Sequence, residues 1–130
     1  MKFLIPLEVT AQRSILVEES LTAEKIGSGD VCVLATPMMI ALMEAAALEA
    51  VQPYLTKGWT TVGTKVDIDH IRPTPVGDEV TAQATLLKVD DRSLEFAVTA
   101  KDGRGLIGQG LHRRFIVNHE NFMSGIKGGV

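Results

Sequence analysis

Glu44 is a carboxylate set in an otherwise apolar stretch, Ala35-Thr-Pro-Met-Met-Ile-Ala-Leu-Met-Glu-Ala-Ala-Ala-Leu48. Ionised carboxylates are seldom taken out of water without a partner, because desolvation costs far more than the aliphatic stem returns. A carboxylate in this setting is expected to have a purpose, and partial desolvation makes it a stronger base than one in bulk water. A base of that kind can activate a water molecule or attack a carbonyl carbon directly. His70 is the second candidate. It closes an alternation in which Thr60, Val62, Thr64, Val66 and Ile68 share one face of a strand and Lys65, Asp67 and Asp69 the other, so its ring points with the apolar residues. Thr36 is the third, a hydroxyl where a helix should begin.

These side chains need elements to hold them. Thr36 before Pro37 reads as a helix start, since Thr caps orphan amides and Pro is tolerated in the first turn, and Pro53 reads as its end. Between them stand strong helix formers with apolar residues on most faces, which predicts a largely buried helix. Glu8 to Glu18 reads as a strand and Ser20 to Asp30 as a mobile connection carrying Gly27 and Gly29. After the strand ending at His70, Pro73-Thr-Pro-Val-Gly-Asp78 breaks the chain, and three further strands follow at 79–89, 94–101 and 106–118, joined by Asp90-Asp-Arg-Ser93 and Asp102-Gly-Arg-Gly105. The pattern predicts an α+β domain whose antiparallel sheet wraps one long helix. Open sheet edges and a helix apolar on several sides predict self-association, as a homodimer or a higher homo-oligomer.

Composition narrows the class. The 130 residues, 45% apolar and 22% charged, read as a single domain spanning 1–130, long enough to bury roughly two thirds of its unfolded surface. A formal charge of −3, with no basic cluster longer than Arg113-Arg114, leaves no footprint for nucleic acid or an anionic membrane surface. No stretch approaches the roughly 20 apolar residues of a spanning helix, and the run Met1 to Glu8 is too brief and too broken for a secretory signal, so the cytoplasm is expected. Cys32 stands alone and cannot form an internal disulfide, in keeping with a reducing compartment; it reads as an inert buried thiol. His112 and His119 have no metal-site spacing and read as structural; no metal and no cofactor are expected.

An ordered set of segments carries a resemblance. Ala35-Thr-Pro-Met-Met-Ile-Ala-Leu-Met-Glu44, Val62-Gly-Thr-Lys-Val-Asp-Ile-Asp-His70, Pro73-Thr-Pro-Val-Gly77 and Ile107-Gly-Gln-Gly-Leu-His-Arg-Arg114 resemble the hotdog-fold thioesterases, in particular the fluoroacetyl-CoA thioesterase branch, from about Glu8 to Phe122. The resemblance implies a hotdog fold, assembly through pairs of subunits, and hydrolysis of an acyl-CoA thioester, with CoA as part of the substrate. The family's catalytic Thr, Glu and His fall on Thr36, Glu44 and His70, its substrate-facing glycine on Gly63 and its late-strand arginine on Arg114.

The chemistry of these residue types agrees with that assignment. Glu44 would activate water or form an anhydride, His70 would orient the carboxylate or protonate the leaving thiolate, and Thr36 lies where the helix dipole favours an oxyanion. Gly63 lets substrate approach a backbone amide. Arg114 reads either as a solvated strand residue or as a contact for the phosphates of CoA. One departure bears on specificity: fluoroacetyl-specific members carry phenylalanines just before the helix, whereas Lys25-Ile-Gly-Ser-Gly-Asp-Val-Cys32 has none. A housekeeping enzyme acting on a short or small acyl-CoA is therefore expected. Two other classes fit a hotdog domain: an enoyl-CoA hydratase or dehydratase, and a non-catalytic acyl-CoA-binding module.

Overall fold

Strand and helix follow the changes of hydrophobic period closely. The computed structural model describes residues 2–128. The elements are β1 (Thr10–Leu16), a 3-10 turn (Glu19–Leu21), α1 (Ala23–Ile26), α2 (Thr36–Val51), a second 3-10 turn (Gln52–Tyr54), β2 (Trp59–His70), β3 (Glu79–Asp90), β4 (Ser93–Asp102), β5 (Gly105–Asn118) and α3 (His119–Lys127). The five strands form one antiparallel sheet in the order β1-β3-β4-β5-β2. The expected α+β arrangement is present, with the meander at its centre and β2 added outside β5 as an edge strand. Two pieces were not expected: the segment read as a mobile connection contains α1, and the chain continues past β5 into α3, which Asn118 caps by accepting from the Asn121 amide at 3.0 Å.

Helix α2 lies on the inner face of the sheet. Met39, Leu42, Met43, Ala46, Ala47, Ala50 and Val51 are buried in it, facing Val80, Ala82, Ala84 and Leu86 of β3 and Leu94, Phe96, Val98 and Ala100 of β4. Alanine dominates the line of contact, and small side chains on both sides let the helix axis approach the sheet closely. Each fully buried large apolar side chain here contributes about 1.5–3 kcal/mol. Gly108 fixes the helix at one end. A Cβ at that position would stand 2.6 Å from Met39 Sδ, so Met39 rests directly on the β5 backbone, and Gly108 is also the cross-strand partner of His70. The first turn of α2 is thereby seated beside the last residue of β2.

The register of β2 against β5 slips between Gly63 and Lys65, leaving Thr64 without a cross-strand partner. This bulge corrects the face assignment expected from strict alternation. Thr61 pairs with buried Ile116 and Gly63 with buried Arg114, while beyond the bulge Val66 pairs with buried His112, so Thr61 and Gly63 share the helix-facing side with Val66, Ile68 and His70. Thr60 and Val62 lie on the opposite face, because one inserted residue reverses the side-chain phase. Cys32 is exposed, not buried as expected. No described helix is long and apolar enough to cross a membrane.

Candidate active site

The candidate residues fall into two groups along α2 and β2. The first stands where α2 begins and β2 ends. Thr36 was expected to cap the helix, but Ala35 holds that position and makes no side-chain cap; Thr36 is inside the first turn, ahead of Pro37. Its hydroxyl is thus directed elsewhere, and Thr36 Oγ1 lies 2.8 Å from His70 Nδ1. His70 Nε2 is buried and has no hydrogen-bond partner among the described residues. Burial pushes the His70 pKa below its usual value, against a smaller opposing effect of the Arg72 backbone. The ring is therefore neutral near pH 7 and keeps one N–H. Both side chains line a cleft of about 560 Å³, whose other walls come from the segment around Ser28, Val31 and Val33, from Leu34 and Pro37, and from Ile71, Arg72 and Pro73.

The second group is built around Glu44, two turns along α2. Its Oε2 is 3.5 Å from Arg114 Nη1 and 3.9 Å from His112 Nε2, and the side chain remains 40% exposed. Gly63 lies against it: a Cβ there would fall 2.5 Å from Glu44 Oε2. The absence of a side chain at 63 makes room for the carboxylate, which is the local reason for glycine in mid-strand. Arg114 is buried, with Nε donating to Thr61 Oγ1 at 2.7 Å and Nη2 donating to the Thr61 carbonyl at 2.9 Å. The solvated reading of Arg114 does not hold, since its guanidinium is turned inward and fixed by Thr61.

His112, which reads as structural in the sequence, stands instead at the centre of this group. Its Nδ1 lies 2.8 Å from the Lys65 carbonyl, and a carbonyl only accepts, so Nδ1 carries the proton. Burial lowers the His112 pKa; the Lys65 carbonyl raises it, the Arg114 charge lowers it, and Glu44 raises it, with the net effect downward. The neutral ring then offers Nε2 as an acceptor to Arg114 Nη1 at 3.2 Å. His112 consequently positions the guanidinium that faces Glu44 and makes no ion pair of its own. Burial likewise lowers the Arg114 pKa, offset in part by Glu44. The only sequence signal for His112 was its parity with Arg114, two residues apart on a strand and therefore on one face.

The sequence places Glu44 and His70 together as an expectation. Within one chain the imidazole beside Glu44 is that of His112. Gly63, which marks the position of Glu44 on β2, is seven residues from His70, roughly 20 Å along the strand.

Comparison with known proteins places this geometry in a family. Residues 17–120 match the sequence pattern of the family described as fluoroacetyl-CoA-specific thioesterase. The fluoroacetyl-CoA thioesterase of Streptantibioticus cattleyicolor is 39% identical over 95 residues, covering 73% of this chain and 68% of that protein. A solved structure of the fluoroacetyl-CoA thioesterase FlK superposes with a TM-score of 0.89 at 30% identity, over 97% of this chain and 98% of that one. A point variant of the same enzyme in complex with acetyl-CoA gives 0.91 at 29% identity, over 97% and 99%. A thioesterase superfamily member from Thermus thermophilus gives 0.88 at 25% identity, over 95% and 92%. The chain is a hotdog-fold thioesterase and belongs to the fluoroacetyl-CoA-specific thioesterase family.

Proposed function

We propose that the protein hydrolyses short acyl-CoA thioesters at a site made by two copies of the chain, with Thr36 and His70 of one protomer facing Glu44 of the partner subunit. The observation that carries this reading is the Thr36–His70 pair, 2.8 Å apart on the wall of a cleft at the N-terminus of α2. With the Thr36 hydroxyl donating to Nδ1, the proton of neutral His70 resides on Nε2, a buried donor with no partner among the described residues. That N–H, together with the positive end of the α2 dipole, suits the oxyanion that forms when a thioester carbonyl is attacked. Glu44 supplies the base that activates water, or the nucleophile itself.

Edge strand β2 supports the pairing of subunits. It is 12 residues long, carries exposed Val66, and among the described residues has no neighbouring strand on its outer side. Antiparallel pairing of β2 with a copy of itself, about a two-fold axis between Val66 and Asp67, brings Gly63 of each chain opposite the other chain's His70. Glu44, which lies over Gly63, then reaches the partner's cleft. Structures of point variants of FlK in complex with acetyl-CoA, and with fluoroacetate and CoA, favour an acyl-CoA as the ligand. Since the segment over the cleft contains no phenylalanine, fluoroacetyl-CoA is turned over without preference over acetyl-CoA.

Thiol release from acetyl-, fluoroacetyl-, butyryl- and palmitoyl-CoA tests the activity. Turnover concentrated on the short chains is expected, with Glu44→Gln losing about 10²- to 10⁴-fold while still binding CoA. Mixing inactive Glu44→Gln with inactive His70→Asn tests the shared site. Hybrid dimers then hold one intact site, and about a quarter of wild-type activity returns at statistical mixing; a site confined to one chain would restore none.

A further inference from the structure

Arg72 is the one charged side chain among the described residues lining the cleft, and neither the hydrolytic residues nor the pairing of subunits accounts for it. The backbone around it is pinned. The Ile71 and Arg72 amides both donate to the Ile107 carbonyl, at 2.7 and 3.3 Å. The side chain is anchored on Asp102, whose own side chain has no exposed surface: Arg72 Nη2 donates to Asp102 Oδ1 at 3.1 Å, and Thr74 Oγ1 donates to Oδ2 at 2.9 Å. Asp102 also faces Arg104 Nη2 at 3.6 Å and accepts from the Arg104 amide at 2.8 Å. Two guanidinium groups thus share one carboxylate, and the cluster keeps a net positive charge. Arg72 retains donors for a further acceptor: 36% of its side chain is exposed, and its Nε is buried with no hydrogen-bond partner among the described residues.

The remaining cleft wall is mainly apolar, with Val31, Val33, Leu34 and Ile71 among it, which fits an acyl chain better than a nucleotide. A positioned guanidinium in such surroundings recognises a carboxylate through paired, charge-assisted hydrogen bonds. Arg72 follows His70 by two residues, on the bend that leaves β2, and both line the same cleft, which suits a short acyl chain held between them.

We propose that Arg72 selects acyl groups ending in a carboxylate, so that short ω-carboxyacyl thioesters of CoA are the preferred substrates, with their free carboxylate on Arg72 and their thioester at Thr36 and His70. This deepens the thioesterase reading and rests on it. Succinyl-CoA and butyryl-CoA test it, because they share the CoA moiety and the chain length and differ in the terminal charge. Wild type should favour succinyl-CoA by about tenfold or more in kcat/KM, and Arg72→Ala should bring the ratio close to one. Arg72→Gln, which keeps a donor for Asp102, should do the same and guards against a fold defect in the alanine variant.

An equal loss on both thioesters would assign Arg72 to the CoA phosphates or to the fold and overturn the proposal, as would a ratio that the variants leave unchanged or a wild-type preference for butyryl-CoA. Calorimetric binding of two uncleavable thioethers, S-(3-carboxypropyl)-CoA and S-butyl-CoA, separates the two readings. If neither thioester is hydrolysed yet the carboxylated thioether binds more tightly in an Arg72-dependent way, the hydrolase reading falls and charge selection stands. If butyryl-CoA is hydrolysed and neither readout discriminates, charge selection falls alone.

Discussion

Thr36 Oγ1 and His70 Nδ1 are 2.8 Å apart, although 34 residues separate them in the chain. The contact exists because Met39 rests on Gly108 and Gly108 pairs with His70, so the first turn of α2 has one place to sit. Removing the hydroxyl leaves His70 free to rotate away from the cleft. Thr36→Val should lower kcat/KM about ten- to hundredfold, with Thr36→Ser retaining most of it. Thermal melting should move little, because Thr36 is exposed and lies outside the core.

Gly63 and Glu44 occupy one another's space. A methyl group at 63 would stand 2.5 Å from Glu44 Oε2, and 3.3 Å from His112 Cε1. The half-exposed carboxylate can move and the buried imidazole cannot, so Gly63→Ala should displace Glu44 from its place at the β2 edge. Steady-state assays should show kcat falling about tenfold or more with KM less affected, as the proposed role of Glu44 requires.

Arg114 holds the floor under Glu44 through hydrogen bonds to Thr61 and His112. Arg114→Leu leaves the Thr61 hydroxyl and carbonyl and the His112 ring without those donors, in a region closed to water. Urea unfolding should show a loss of about 2–4 kcal/mol, the scale for breaking a buried polar network. Glu44→Gln, at a side chain 40% exposed, should change stability far less.

His70 and His112 both have pKa values held below the ordinary 6.5 in the folded chain, in each case chiefly by burial. As pH falls through 6.5 the unfolded chain takes up protons that the folded chain refuses, so the unfolded state gains ground. The stabilisation is fully present above that value and declines on the acid side until the folded-state pKa is reached. Urea midpoints should therefore fall as pH drops below about 6.5, and His112→Gln should flatten the curve. Activity should outlast the first loss of stability and fall further to the acid side, where folded His70 itself takes up a proton and no longer accepts from Thr36.

The order of the five strands, the buried helix from Thr36 and candidates such as Glu44 and His70 were legible in the chain alone, because hydrophobic period, Pro37, Pro53 and a lone carboxylate among apolar residues are local signals, whereas α1, α3 and the part played by His112 were not. The chain alone also carried the family, through segments whose order and spacing the structure keeps. Which groups meet depends on packing across the sheet. The bulge at Thr64 reverses the phase of β2, placing Thr61 and Gly63 on the helix side and turning Arg114 and His112 inward beneath Glu44. No local propensity announces a one-residue insertion whose effect appears only against β5. The partners of Arg72, Asp102 and Thr74 likewise come together from the β2–β3 connection and the end of β4, a meeting set by packing and by the need to satisfy a carboxylate closed off from water.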